Sequence, residues 1–164
     1  MPNRITRRVI ERKETILKAL ADGCKTTGYI TKTLGLTYTE AYYVLELLRA
    51  EGRVIKAVFG KTAIWCPNDE EYNKTLNELL QEIRRIVETR NLRYVYPMRL
   101  YRLILNDKKA YALMSKFVPM GSINTSALVF LNHLLEMLYG KPYIEGEKTV
   151  YLAIRNIEPP RTTA

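Results

Sequence analysis

The stretch Ala41-Tyr42-Tyr43-Val44-Leu45-Glu46-Leu47-Leu48-Arg49-Ala50-Glu51-Gly52-Arg53-Val54-Ile55 decides the fold. Its apolar residues Ala41, Val44, Leu45 and Leu48 fall three and four apart, the spacing of one helical face. Thr37 or Thr39 can cap this helix, and Glu40 follows Thr37 at capping-box spacing. Gly52 ends it, and the period then changes. Arg53–Phe59 and Thr62–Cys66 are rich in β-formers and are separated by Gly60-Lys61. A two-residue Gly-X loop suits a type II′ turn, so a hairpin is predicted.

Upstream, Ile30-Thr31-Lys32-Thr33-Leu34-Gly35-Leu36 closes a shorter helix predicted over Thr27–Leu34. Thr26 or Thr27 supplies its cap, and Gly35 stands just past its end. Before it, Val9, Ile10, Ile16, Leu17 and Leu20 mark a helix over Arg8–Leu20, stopped by Gly23. Three short helices and a hairpin within about 60 residues outline a winged helix.

Glu14–Cys66 resembles the winged helix-turn-helix regulators common in archaea and bacteria. The resemblance rests on the two stretches quoted above, with their apolar positions, closing Leu, acidic-Gly step and first wing strand. It implies that the third helix enters the major groove and that the wing touches backbone or minor groove. By position, Tyr38, Thr39, Glu40 and Tyr43 face bases, with Tyr42 partly exposed. Arg53, Lys56 and Lys61 belong to the wing, and Lys25 and Lys32 lie where backbone contacts are usual. One departure bears on specificity. The third helix has no Arg or Lys in its first two turns, so bidentate reading of guanine is not expected. An alternative stays open, in which Tyr38, Tyr42 and Tyr43 pack against a neighbouring subunit or domain.

Downstream, Asn68 precedes Asp69, Glu70 and Glu71, a cap followed by acids in a helix's first turn. Tyr72, Leu76, Leu79, Ile83 and Ile86 then alternate by fours and threes, with Leu80 and Val87 beside them. This seam is either the face of a helix packed within its own chain or a candidate homodimer interface.

The remainder repeats the order of elements. Helices are predicted over Pro97–Leu105, from Asp107 to Phe117, and from Asn124 or Thr125 to Gly140, with Leu128, Leu131, Leu135 and Leu138 on one face of the last. Tyr143-Ile144 and Thr149–Ile154 then read as a second hairpin. The expected architecture is therefore α+β, mainly α with small β-hairpins: tandem winged helices joined by an amphipathic helix. The expected division is 1–67 for the DNA-binding domain, 68–92 for the connector, 93–157 for the second domain and 158–164 for a disordered tail. Arg93-Tyr94-Val95-Tyr96-Pro97-Met98-Arg99-Leu100-Tyr101-Arg102 interleaves arginines with tyrosines. That pattern suits a nucleic-acid surface, although the usual burial of such aromatics favours a core seal.

Charge points the same way. Lys and Arg outnumber Asp and Glu by 26 to 17, for a net +9. Residues 1–68 carry 12 basic and 6 acidic side chains, 69–92 carry 4 and 6, and 93–164 carry 10 and 5. Such an excess favours polyanionic partners; a heavily charged, thermophile-like surface is the competing account of the charge alone. No apolar run reaches the roughly 20 residues of a membrane span.

Catalytic groups are scarce. His133 is the sole histidine, and no phosphate-cradling glycine loop is present. Cys24 and Cys66 stand apart, without CxxC spacing, and suggest neither zinc nor a disulfide scaffold. An intracellular, nucleoid-associated, non-enzymatic protein without cofactor or metal is expected. Its expected partner is double-stranded DNA, bound as a homodimer acting in transcription regulation, with a further protein partner on the second domain. The alternatives are a winged-helix interaction module of a transcription, replication or chromosome-maintenance assembly, and a non-specific nucleic-acid binder.

Overall fold

The computed structural model describes residues 4–145 and 148–153 of the chain. The expected tail at 158–164, and the tip of the second hairpin at 146–147, lie outside the described residues. The fold is α+β, with seven helices and two small antiparallel sheets among the described residues.

The first half runs α1 (Arg4–Ala19), β1 (Lys25–Thr26), α2 (Thr27–Leu34), α3 (Tyr38–Ala50), β2 (Val54–Phe59) and β3 (Thr62–Pro67). Local chemistry sets these limits. The Thr26 side chain accepts from the Tyr29 N–H and Thr37 from that of Glu40, so each helix starts on a satisfied donor. Gly35 ends α2 at φ 66°, in the left-handed region. The strands pair in the order β1-β3-β2, with Lys56 opposite Trp65 and Lys25 opposite the same residue on the other side.

The second half runs α4 (Glu70–Thr89), β4 (Tyr94–Val95), α5 (Pro97–Leu105), α6 (Lys108–Met114), α7 (Thr125–Tyr139), β5 (Tyr143–Glu145) and β6 (Lys148–Leu152), with strand order β4-β6-β5. The pattern of the first half recurs: a helix, a short strand, further helices, then a hairpin whose last strand pairs with the first. The helix after Asp107 ends at Met114, earlier than the Phe117 expected. Of the two readings of the seam, a packed intrachain face or a candidate homodimer interface, the arrangement shows the first. Leu76, Leu79, Ile83 and Ile86 are at most 7% exposed inside the chain's own core. Tyr72 packs edge-on against Phe117 at 4.6 Å. An apolar stripe is covered by whatever lies nearest, and α5, α6 and α7 are covalently tethered to α4. Thus α4 builds the second half and is not a free connector.

Both faces of the β1-β3-β2 sheet are covered. Val54 and Trp65 join Ile16, Leu20, Ile30, Ala41, Val44, Leu45 and Leu48 beneath the three helices of the first half. From the opposite face Ala57, Ile64 and Cys66 enter the core of the second half. The run Ile64-Trp65-Cys66 is buried on both sides, which is why it is continuously apolar. The buried indole N–H of Trp65 donates to Thr27 Oγ1 at 2.8 Å, leaving neither group unpaired. α7 fills the space between the two sheets. Ala127, Val129, Phe130, Leu131, Leu134 and Leu135 are all buried, a wider surface than the single expected stripe, whose Leu128 and Leu138 are only half-buried.

The cysteines also depart from expectation. Cys24 and Cys66 form a disulfide, with Cα atoms 4.3 Å apart. The register that pairs Lys25 with Trp65 sets Cys24 directly across from Cys66, a geometry that a separation of 42 residues did not reveal. The thiol-based reason for expecting an intracellular location therefore falls.

Candidate nucleic-acid interface

The exposed surface of the first half is built on α2, α3 and the β2–β3 tip. Tyr38 is 61% exposed, Tyr43 58% and Tyr29, which its sequence context did not single out, 48%. Thr39 is also exposed. Tyr43 follows Thr39 by four residues, so the two share one face of α3. Tyr38 stacks on Tyr42 at 5.8 Å, and Tyr42 in turn meets Trp65 edge-on at 5.8 Å. A core tryptophan thereby braces a ring that reaches the surface.

The carboxylates of this surface are all answered from within. Glu40 pairs with Arg12 at 2.8 Å. Glu46 accepts from Lys56 at 3.0 Å and from Arg49 at 2.9 Å. Glu51 pairs with Lys13 and lies 3.8 Å from Arg53. Partial burial would raise the Glu46 pKa, but hydrogen bonds from Lys56, Arg49 and Tyr42 outweigh it and hold the group below the usual carboxylate range. Lys56 moves the other way. Its hydrogen bond to the Tyr42 hydroxyl, at 2.6 Å, and that to Glu46 outweigh burial and raise its pKa. Its Nζ also sits over the rings of Tyr42 and Trp65, at 4.7 and 5.2 Å.

The residues expected to touch DNA therefore divide into two groups. Lys56 has a side chain only 17% exposed and committed to Tyr42 and Glu46. Lys25, 16% exposed, is 3.4 Å from Asp22 and 4.9 Å from the centre of the Tyr29 ring. Glu40 is held by Arg12, and Tyr42 is braced against the core. By contrast Tyr38, Thr39, Tyr43, Lys32, Arg53 and Lys61 are exposed. Lys32 and Lys61 have no acidic partner among the described residues, nor do Arg7 and Arg8 on α1. The wing tip keeps Gly60 at φ 63° while Lys61 does not take a positive φ, as a type II′ turn requires.

The second half presents a different surface. Its α7 stands where α3 stands in the first half, directly before the hairpin, yet it is enclosed between the sheets. Its buried Asn132 is held at both ends of its amide, Nδ2 donating to Leu128 O at 2.8 Å and Oδ1 accepting from the Tyr151 hydroxyl at 2.8 Å. His133 is half-buried, and burial lowers its pKa despite Glu136 nearby. Among the described residues no three His, Cys, Asp or Glu gather as a metal site, and no helix is long and apolar enough to cross a membrane.

Comparison with known proteins adds two findings. Residues 72–152, which span nearly all of α4 through β6, match a family model described as PSV, transcriptional regulator domain. The crystal structure of hypothetical protein PyrSV_gp04 from Pyrobaculum spherical virus is similar to this chain at 39% identity, covering 90% of this chain and 96% of that one, with a TM-score of 0.57. No curated protein matches. With identity at that level across nearly the whole of both chains, the protein belongs to the same family as PyrSV_gp04, and its second half is similar to a transcriptional regulator domain.

Proposed function

We propose that the chain is a double-stranded DNA-binding transcriptional regulator, built of two winged helices, that docks on the duplex through the first. The observation that carries this is the exposed face of α3. It offers Thr39 and Tyr43, with Tyr38 also exposed, while every acidic side chain of α3 is neutralised by a cation of the same half. A surface so neutralised, in a half that also carries exposed Lys32, Lys61, Arg7 and Arg8, meets phosphates without repulsion. The repeated strand order supports the two-winged-helix reading, and the family match supports a regulatory role.

Duplex binding followed by fluorescence anisotropy across salt concentrations tests this. Lys32→Ala with Lys61→Ala should weaken binding to all sequences and flatten the salt dependence by about 0.9 for each phosphate no longer neutralised. Unchanged affinity and slope in a folded double variant would remove the DNA reading. The three exposed tyrosines favour a protein-interaction module as the second reading; capture of a protein partner that Tyr43→Ala abolishes, without any duplex binding, would establish it.

A further inference from the structure

The arginine–tyrosine stretch at 93–102 is sorted by side. Tyr101 is 2% exposed and its hydroxyl donates to Gly121 O at 3.1 Å, so it serves the core. Tyr96 is half-buried. Arg99 and Arg102 point the other way: both are exposed on α5, and neither has an acidic partner among the described residues. Three residues apart, they are neighbours on one helical face.

These arginines stand beside the wing of the first half. A groove of about 410 Å³ is lined by Phe59 of β2, by Tyr96, Arg99 and Arg102, and by Leu128 of α7. A second, of about 370 Å³, shares Phe59, Met98 and Leu128 with it and extends to Thr62. The two residues that bracket the Gly60-Lys61 tip, Phe59 and Thr62, therefore flank α5. Lys61 lies in the chain between these two residues, so the wing tip adjoins the groove that Arg99 and Arg102 line.

We propose that Arg99 and Arg102 make a second contact with the duplex backbone, on the flank of the site beyond the wing tip. This rests on duplex binding by the first half. The occupant follows from charge and availability. A pair of unpaired guanidiniums on one helical face complements a run of phosphates. A stacked single strand is disfavoured, because Tyr101 is buried and Tyr96 half so. The helix that would read a groove from this half, α7, is enclosed, and α5 is the helix whose exposed cations lie beside the wing of the first half. One chain would then cover a longer footprint than a lone winged helix, without the sequence readout that a helix in the major groove supplies.

The test compares a duplex of about 40 base pairs with one of about 14 that fits the first half alone. For Arg99→Ala with Arg102→Ala, affinity for the long duplex should fall about tenfold or more, and the salt slope should drop by about 1.8. Affinity for the short duplex should stay as in the parent. Arg99→Lys with Arg102→Lys, which keeps both charges, should retain the slope. If the double alanine variant binds the long duplex with unchanged affinity and slope while Lys32→Ala with Lys61→Ala weakens it, the α5 contact is refuted and duplex binding by the first half survives. If the alanine variant instead loses only binding to an acidic polypeptide such as polyglutamate, the groove takes protein and the proposal fails. Absence of binding to either duplex by the parent chain would overturn both readings at once.

Discussion

Cys24 and Phe117 join the two halves through the backbone: the Cys24 N–H donates to the Phe117 carbonyl at 2.7 Å. The contact is possible because Gly23, immediately before, has no side chain. A Cβ there would lie 2.6 Å from the same oxygen, and the residue holds φ 142°. Gly23, in the turn that follows α1, thus lets the halves close.

Gly23→Ala should therefore destabilise the whole chain. The backbone conformation alone costs about 1–3 kcal/mol for a residue with a Cβ, and the clash with backbone at Phe117 adds to it. Gly35→Ala serves as the comparison, since Gly35 is also at positive φ but has nothing within 4 Å of its missing Cβ. Urea titration should show the larger loss at Gly23. Equal losses would mean that close approach between the halves contributes nothing.

The Cys24–Cys66 bridge closes a separation of 42 residues. On the chain-entropy account a loop of that length is worth about 4 kcal/mol. Its sulfur also accepts from the Tyr72 hydroxyl at 2.7 Å, and burial drives the Tyr72 pKa upward. Reduction, or Cys66→Ser, should lower the melting temperature while the helical circular-dichroism signal at room temperature persists. An unchanged melting temperature after complete thiol release would contradict a stabilising role.

Ile83 is fully buried between α4 and the rest of the second half. Ile83→Lys should accordingly unfold that half, at a cost above about 3 kcal/mol for an unpaired buried charge. Were α4 a dimer seam, the same change would yield a folded monomer. Sedimentation together with circular dichroism separates the two outcomes.

Acid should destabilise the join between α4 and α6. Arg85 bridges Glu82 and Asp107, each at 2.6 Å, and Lys109 reaches Glu82 at 3.0 Å. Hydrogen bonds from Arg85, then Lys109, lower the Glu82 pKa; Arg85 chiefly lowers that of Asp107, which also caps α6. A carboxyl whose folded pKa lies below its unfolded one stabilises the fold above the unfolded value, and that gain is lost as pH falls through the folded value. Stability measured by urea should thus decline below about pH 4.5, and Arg85→Met should make the decline shallower. Identical profiles for the parent and Arg85→Met would sink this assignment.

The legible parts of the fold are those that local chemistry decides. Thr26 and Gly35 bound α2 at the predicted Thr27–Leu34, and Thr37, Asp107 and Asn124 cap as their residue types suggest. What tertiary packing decides was not legible. Lys56 reads as a wing cation, but the strand register lays it over Trp65 and beside Glu46. The spacing of Leu76 to Ile86 fits a core helix and a dimer seam equally, because both bury the same stripe. The pairing of Cys24 with Cys66 depends on the register of two strands that only the folded sheet defines. Arg99 and Arg102 belong to a visible motif, but their place beside the wing follows from how the halves dock.

Selectivity of the α3 surface should be modest. Thr39 and Tyr43 end in hydroxyls that donate or accept, so each tolerates more than one base edge. Tyr38 is stacked on Tyr42, and Glu40 is tied to Arg12 at 2.8 Å, which takes up the carboxylate otherwise suited to cytosine. No guanidinium stands in the first two turns of α3, where a bidentate contact would add about 1–3 kcal/mol of base discrimination. Selection from random duplexes should therefore return a shallow consensus. Tyr43→Ala should reduce affinity more than it alters preference, and Glu40→Ala should leave preference nearly unchanged, since it frees Arg12 without removing a base contact. A sharp consensus, with a specificity ratio near the top of the roughly 10³–10⁷ range for specific binders, would show this account of α3 to be wrong. So would a clear change of preferred base on Glu40→Ala, because the carboxylate would then be reading DNA and not holding Arg12.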